Sequence, residues 1–275
     1  MSVELQSTNA SAPHNRINYE VLGAGARTVV LLHGWKQSLL ALRPLGELLA
    51  EDNRVVLIDL PGFGNSPIPP QASNDGGGWG TFEYAQSVCE LLISIGVERC
   101  TLVGHSLGGR VSVQIAALKP EIVESFVLIG AHGLPYERPA RQRVRAWAIK
   151  QLVQLAKKVD SMTGTRFFPH YLAPRFGSRD YHAAGDLRRT LVKVVNEDLS
   201  AQARAIKAPA LLIWGAEDLE APLAIGRRYR ELLASSELIV LPNRGHEPFQ
   251  DVGSHLLATY IGRFLDGTTG GNHAH

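Results

Sequence analysis

Ser106 has the setting that most directly offers covalent chemistry. It stands in Gly104-His105-Ser106-Leu107-Gly108, after the apolar run Cys100-Thr101-Leu102-Val103 and ahead of Arg110-Val111-Ser112-Val113-Gln114-Ile115-Ala116-Ala117. A buried strand that turns directly into a helix around one serine is the setting of a nucleophile elbow, which holds the hydroxyl at the apex of a sharp turn. Glycine at 104 and 108 has a steric reason there. The turn presses backbone against a neighbouring strand and helix and leaves no room for a side chain. A bare G-x-S-x-G arises often by chance; the strand before it and the helix after it give it weight.

A serine hydroxyl attacks poorly at neutral pH, so it requires a histidine base and a carboxylate to orient that base. Both follow, in the order Ser, Asp, His. Ala210-Leu211-Leu212-Ile213-Trp214 reads as a strand that exits through Gly215-Ala216-Glu217-Asp218, and Leu238-Ile239-Val240-Leu241 as the next, exiting through Pro242-Asn243-Arg244-Gly245-His246. Asp218 and His246 are thus one strand-helix-strand crossover apart, which brings both to the rim of a parallel sheet that also carries Ser106. Glu217 and Glu220 compete with Asp218 for the acid.

These side chains need a sheet to hold them in register. Apolar runs predict strands near Ile17–Leu22, Thr28–His33, Arg54–Asp59, Arg99–Gly104, Ser125–Gly130, Ala208–Trp214 and Glu237–Pro242, with helical patterns after most of them. Alternation of this kind predicts an α/β chain with a mostly parallel twisted sheet flanked by helices. The glycine-rich run Asn74–Gly80 lacks the lysine and serine or threonine of a phosphate loop and reads as a connection. Two cysteines, Cys89 and Cys100, make neither a disulfide framework nor a metal cluster, so no metal is expected.

Four ordered motifs resemble the α/β-hydrolase superfamily, over a span from about Ile17 to Leu265. Val29-Val30-Leu31-Leu32-His33-Gly34-Trp35 is similar to its first strand and oxyanion loop, and Asp59-Leu60-Pro61-Gly62-Phe63-Gly64-Asn65-Ser66 to its D-x-x-G-x-G-x-S segment. The elbow and the Asp218 and His246 loops complete the set. The resemblance implies an α/β-hydrolase fold with a catalytic Ser106, Asp218 and His246. It favours Asp218 over Glu217 by position, and His246 over His33, which suits a structural hydrogen bond, and His105, whose ring should point away from Ser106. A variant of the family places its acid after the strand Phe126–Ile129, yet here that strand exits into Gly130-Ala131-His132 with no carboxylate.

Developing negative charge is best met by preorganised backbone N–H groups. The resemblance implies that Trp35 and Leu107 supply them. Lys36-Gln37 departs from the family, in which glycine is common at this point of the loop, and makes Lys36 a candidate contact for an anionic substrate. The activity implied is hydrolysis of a small-molecule carboxylic ester through an acyl-enzyme, without cofactor. Other chemistries on the same triad remain open: C–C hydrolysis of ring-cleavage products, lactone hydrolysis and perhydrolysis. Related epoxide and haloalkane hydrolases use aspartate where Ser106 stands, and a slow-turnover ligand receptor is the reading from another class.

Far more residues separate Gly130 from Ala208 than a crossover helix needs. The expected organisation is therefore a core of residues 1–131 and 208–266, a helical lid over 132–207, and a disordered tail over 267–275. From Tyr136 to Lys207 there are 15 Lys and Arg against 6 Asp and Glu, so a basic insertion sits on an acidic core. Within it Val144, Trp147, Ala148, Leu152, Leu155 and Val159 recur at helical spacing, and this face is expected to cover the active site, with Trp147 touching substrate. A net charge of +2 is too small to argue for nucleic acid, and no run is long enough for stable membrane insertion. The polar stretch Met1–Asn18 does not read as a secretion signal, and a cytoplasmic location is expected. Oligomeric state is not indicated.

Overall fold

The computed structural model describes residues 17–136, 151–156, 158–162 and 183–270. Seven strands form one sheet: β1 (Tyr19–Leu22), β2 (Thr28–Leu32), β3 (Arg54–Ile58), β4 (Cys100–His105), β5 (Val123–Ile129), β6 (Ala210–Gly215) and β7 (Ser236–Leu241). Their order is β1-β3-β2-β4-β5-β6-β7, with β1 antiparallel to β3 and every other pairing parallel. The strands lie within two residues of the expected positions because each is a short apolar run bounded by turn residues.

Both faces of this sheet are buried, which is why its central strands read as continuous apolar runs rather than alternating ones. The side-chain period of two still sorts them. Val30, Leu32, Val56, Leu102 and Leu128 point to one core, shared with helices α2 (Thr81–Ser94) and α3 (Leu107–Leu118). Their neighbours Val29, Leu31, Val55, Val103 and Val127 point to the other, shared with α1 (Arg43–Leu49). Further helices are α4 (Arg188–Asn196), α5 (Ser200–Ala205), α6 (Leu223–Leu232) and α7 (Gly253–Gly270). Leu257, Ile261 and Leu265 of α7 complete the second core. Among the described residues, no helix is long and apolar enough to cross a membrane.

Two expectations need correction. Helix α7 continues to Gly270, so residues 267–270 are helical rather than the start of a disordered tail. Residues 151–156 and 158–162 are helical as well, but Leu152, Leu155 and Val159 are exposed instead of covering the site. Periodicity finds an apolar stripe without saying what the stripe faces. The other residues of that face, Val144, Trp147 and Ala148, lie outside the described residues.

The sheet order creates the place for a site. Strand β2 sits between β3 and β4, so the chain leaves it in one direction and later returns on its other side, opening a crevice at the carboxyl ends of β2 and β4. The two strands are paired with Leu32 opposite Gly104, which places the exit of β2 beside Ser106. Close approach is then unavoidable. A Cβ on Gly104 would lie 2.4 Å from the Gly108 carbonyl oxygen, and one on Gly108 would lie 2.0 Å from that of Leu32.

Gly108→Ala therefore has no accommodating movement short of prying α3 from β2. We expect it to cost at least about 3 kcal/mol, the upper end of what overpacking costs, measured as a fall in the urea midpoint or a failure to yield soluble protein.

Candidate active site

Ser106 adopts φ 50° and ψ −107°. A non-glycine residue at this φ carries strain of about 1–3 kcal/mol. Here the surroundings fix it: the Ser106 amide donates to the Ile129 carbonyl at 3.0 Å, and the Ser106 carbonyl accepts from the Arg110 amide at 3.2 Å. Although Ser106 occupies the N-cap of α3, its hydroxyl makes no capping bond. It lines a cavity of about 400 Å³ together with Trp35, Lys36, Leu107, Arg110 and His246.

Asp218 and His246 meet at the edge of this cavity. His246 Nδ1 lies 2.8 Å from Asp218 Oδ2, with the aspartate side chain fully buried. The other oxygen, Oδ1, accepts the amides of Glu220 at 2.9 Å and Ala221 at 2.8 Å, so the carboxylate is pinned from both sides. Burial works against a charged imidazole at His246. The hydrogen bond and charge of Asp218, aided by Glu220 and Glu247, outweigh it and hold the His246 pKa above its ordinary value. Glu220 Oε2 comes within 3.7 Å of Nε2, the nitrogen that Asp218 leaves open. Ser106 and His246 are not joined by a hydrogen bond among the described residues; such bonds are often long before substrate closes the site.

The loop after β2 is a tight turn. The Gln37 amide donates to the Gly34 carbonyl at 3.3 Å, and Lys36 takes φ 61°. That conformation is the physical reason glycine suits this position. The Gln37 side chain pins the turn: its Oε1 accepts the Gly34 amide at 2.8 Å and its Nε2 donates to Glu247 beside the histidine. Beneath the loop, His33 Nδ1 donates to the Gly34 carbonyl at 2.7 Å while Nε2 accepts the Leu60 amide at 3.0 Å. Burial pushes the His33 pKa down to about 4, which keeps the ring neutral and in this bridging tautomer.

His105 is buried behind the site. Its Nε2 lies 3.0 Å from the His246 carbonyl and its Nδ1 3.1 Å from Gln37 Oε1, with Phe249 edge-on to the ring. Burial and the neighbouring His246 push its pKa down to about 3. A neutral ring carries one N–H, so it donates to only one of these oxygens at a time. Asp59 has a structural place. It accepts the Leu39 amide at 2.6 Å, and the Asn65 amide and Asn18 Nδ2 at 2.8 Å, with Gly64 at φ +54° so close that a Cβ would collide with the carboxylate.

A model of the alpha/beta hydrolase family matches residues 29–258. The chain belongs to that family. Among its relatives, the uncharacterized hydrolase YugF of Bacillus subtilis strain 168 is 28% identical over 250 residues, covering 81% of this chain and 84% of that protein. The putative carbamate hydrolase RutD of Stutzerimonas stutzeri strain A1501 is 28% identical over 268 residues, covering 90% and 98%. Of solved structures, a membrane phospholipase A described as a bacterial virulence factor is 26% identical, with a TM-score of 0.72 over 92% of this chain and 83% of that one.

In this alpha/beta hydrolase the structure brings Ser106, Asp218, His246, Trp35, Leu107 and Lys36 to one cavity or its wall. Trp147 lies outside the described residues. Sequence reasoning missed three participants. Gln37 was noticed only as a departure from glycine, and Glu220 only as a rival acid. Arg110 was passed over, although it is the one charged residue in α3, and that was the available signal.

The raised pKa of His246 gives a sign to test. In NMR titrations of the ring, its midpoint should lie above 6.5, fall below the wild-type value in Asp218→Asn, and fall by less in Glu220→Gln. A larger drop in Glu220→Gln would reverse the order of the two carboxylates.

Proposed function

We propose that this chain is a serine hydrolase that cleaves small carboxylic esters through an acyl-enzyme. The observation that carries the reading is the Asp218–His246 hydrogen bond, 2.8 Å long, at the wall of the cavity that Ser106 also lines. With Nδ1–H donated to Asp218, the lone pair of the imidazole is on Nε2, where it accepts the Ser106 proton as Oγ attacks the ester carbonyl. The oxyanion that forms is received by the amides of Trp35 and Leu107. Leu107 is the first residue of α3, where helix N–H groups have no internal acceptor, and neither amide has an acceptor among the described residues. His246 returns its proton to the departing alcohol and then takes one from water, which attacks the acyl-enzyme and restores Ser106. Lys36, in the same wall, is proposed to touch substrate. No step calls for a cofactor.

Support for hydrolysis as the reaction class comes from the family and from its hydrolase relatives. Turnover of p-nitrophenyl butyrate, beside a p-nitrophenyl carbamate, tests the ester assignment. Ser106→Ala should lower kcat by about 10⁴-fold or more, and Asp218→Asn by about 10³–10⁴-fold through the wrong tautomer. Glu217→Gln should stay near wild type. Near-native turnover in folded Ser106→Ala would refute the serine mechanism, and preference for the carbamate would move the substrate class.

A further inference from the structure

The wall of the cavity holds a cation that the ester mechanism does not use. Arg110 follows Ser106 by one helical turn, a rise of roughly 6 Å, which keeps it on the same side of α3 as the elbow. The residue is buried, at 6% exposure, yet lines the cavity with Leu191 and Val194 of α4. Its Nη1 donates to the Val194 carbonyl, near the carboxyl end of α4. It makes no other hydrogen bond and no ion pair among the described residues, and its remaining nitrogens are not among the buried atoms left without a partner. Arg110 is itself a lining residue of the cavity.

A buried guanidinium with one carbonyl acceptor is expensive, because a desolvated charge needs a counter-charge or several acceptors. Burial lowers the Arg110 pKa, with the Tyr229 hydroxyl and Glu197 opposing it. Glu197 forms no direct ion pair with Arg110 and acts on it from a distance, while its carboxylate accepts the Thr81 amide at 2.9 and 3.2 Å at the start of α2. Of the other charges around the cavity, Lys36 lines it from the loop after β2. Glu220 and Glu247 stand beside His246 and repel an anion there, whereas Arg110 lies toward α4, with Nη1 on the Val194 carbonyl and its other donors without a hydrogen-bond partner among the described residues.

We propose that Arg110 is the carboxylate-binding residue of this site, and that the preferred ester carries a free carboxylate a few bonds from the scissile carbonyl. The inference rests on the serine esterase reading for its reaction and on the cavity alone for its ligand. The bound carboxylate takes two of the remaining N–H groups, adds a counter-charge in direct contact where Glu197 acts only from a distance, and fixes the ester on the Ser106 side of the cavity. Because Arg110 also holds α4 through Val194, ligand and α4 share one guanidinium.

The test compares esters matched in length, with and without charge: monomethyl glutarate against methyl valerate, and butyryloxyacetate against propyl butyrate. In wild type at least one anionic member should exceed its neutral partner in kcat/KM by about tenfold or more, the scale of a charge-assisted hydrogen-bond pair. In Arg110→Gln that ratio should fall at least about tenfold, whatever happens to the absolute rates. A ratio unchanged in Arg110→Gln, or no anionic preference in wild type, overturns the proposal and leaves Arg110 as a strut for α4. Where Arg110→Gln does not fold, Arg110→Lys keeps the stem but not the fork, and the ratio should fall at least about threefold; an unchanged ratio again overturns it. If wild type cleaves none of the esters, the esterase reading fails on its own. Calorimetric titration with glutarate then decides the anion site, with binding that disappears in the Arg110 variant expected and no binding to wild type overturning it.

Discussion

The contact of α3 with the exit of β2 is the constraint on which the rest of the site depends. The Gly108 amide donates to the His33 carbonyl at 3.0 Å, and nothing larger than hydrogen fits between the Gly108 α-carbon and the Leu32 carbonyl. This approach holds the first turn of α3 against the loop that begins at His33. It sets the distance between the Leu107 and Trp35 amides, because each belongs to one of the two segments in contact. It also leaves Ser106 as the only residue spanning from β4 to α3, which explains why the strain concentrates there. A looser junction would relieve Ser106 and let the two segments drift apart, so the strain at Ser106 and the fixed approach of α3 to β2 are one feature.

Hydrogen bonds spread that rigidity to His246. Gln37 ties the Gly34 amide to Glu247, the neighbour of His246, and His105 packs under the His246 carbonyl. The two loops therefore behave as one polar shell around the cavity, in which the buried rings of His33 and His105 stay neutral. Such a distribution lets His246 sense carboxylates from three positions while remaining mostly enclosed, with 14% of its side chain exposed. A low local dielectric strengthens each of these interactions and makes an unpaired group within it costly.

What could be read from residues alone divides along physical lines. Strand positions followed from short apolar runs bounded by turn residues, while Ser106 was singled out by glycines at forced contacts and Asp218 and His246 by strand exits together with the family resemblance; the structure brings the three to one cavity or its wall. The stripe containing Leu152, Leu155 and Val159 misled, because amphipathicity records that a face is apolar and is silent on its partner. Helix α4 lines the cavity with Leu191, Val194 and Val195 instead. Gln37 and Arg110 escaped notice for another reason. Their importance comes from partners 210 and 84 residues away, a separation no local pattern encodes.

The position of Asp218 shows how sterics choose between two workable arrangements of a carboxylate beside His246. Gly130, at the exit of β5, has φ +53°, and a Cβ there would stand 3.1 Å from Asp218 Oδ2 and 3.3 Å from His246 Nδ1. That volume lies against the acid–base hydrogen bond itself. A carboxylate reaching the histidine from the β5 exit would have to compete for the side of the ring that Asp218 now holds, so the two placements exclude one another. With glycine at 130 the Asp218 side chain is free to enter from β6 and to collect the Glu220 and Ala221 amides. Those amides become available only because the chain turns there toward Pro222 and α6, and their donors satisfy the oxygen that His246 leaves open. The glycine at the end of one strand and the turn after the next are thus two halves of the same decision about where the carboxylate beside His246 stands.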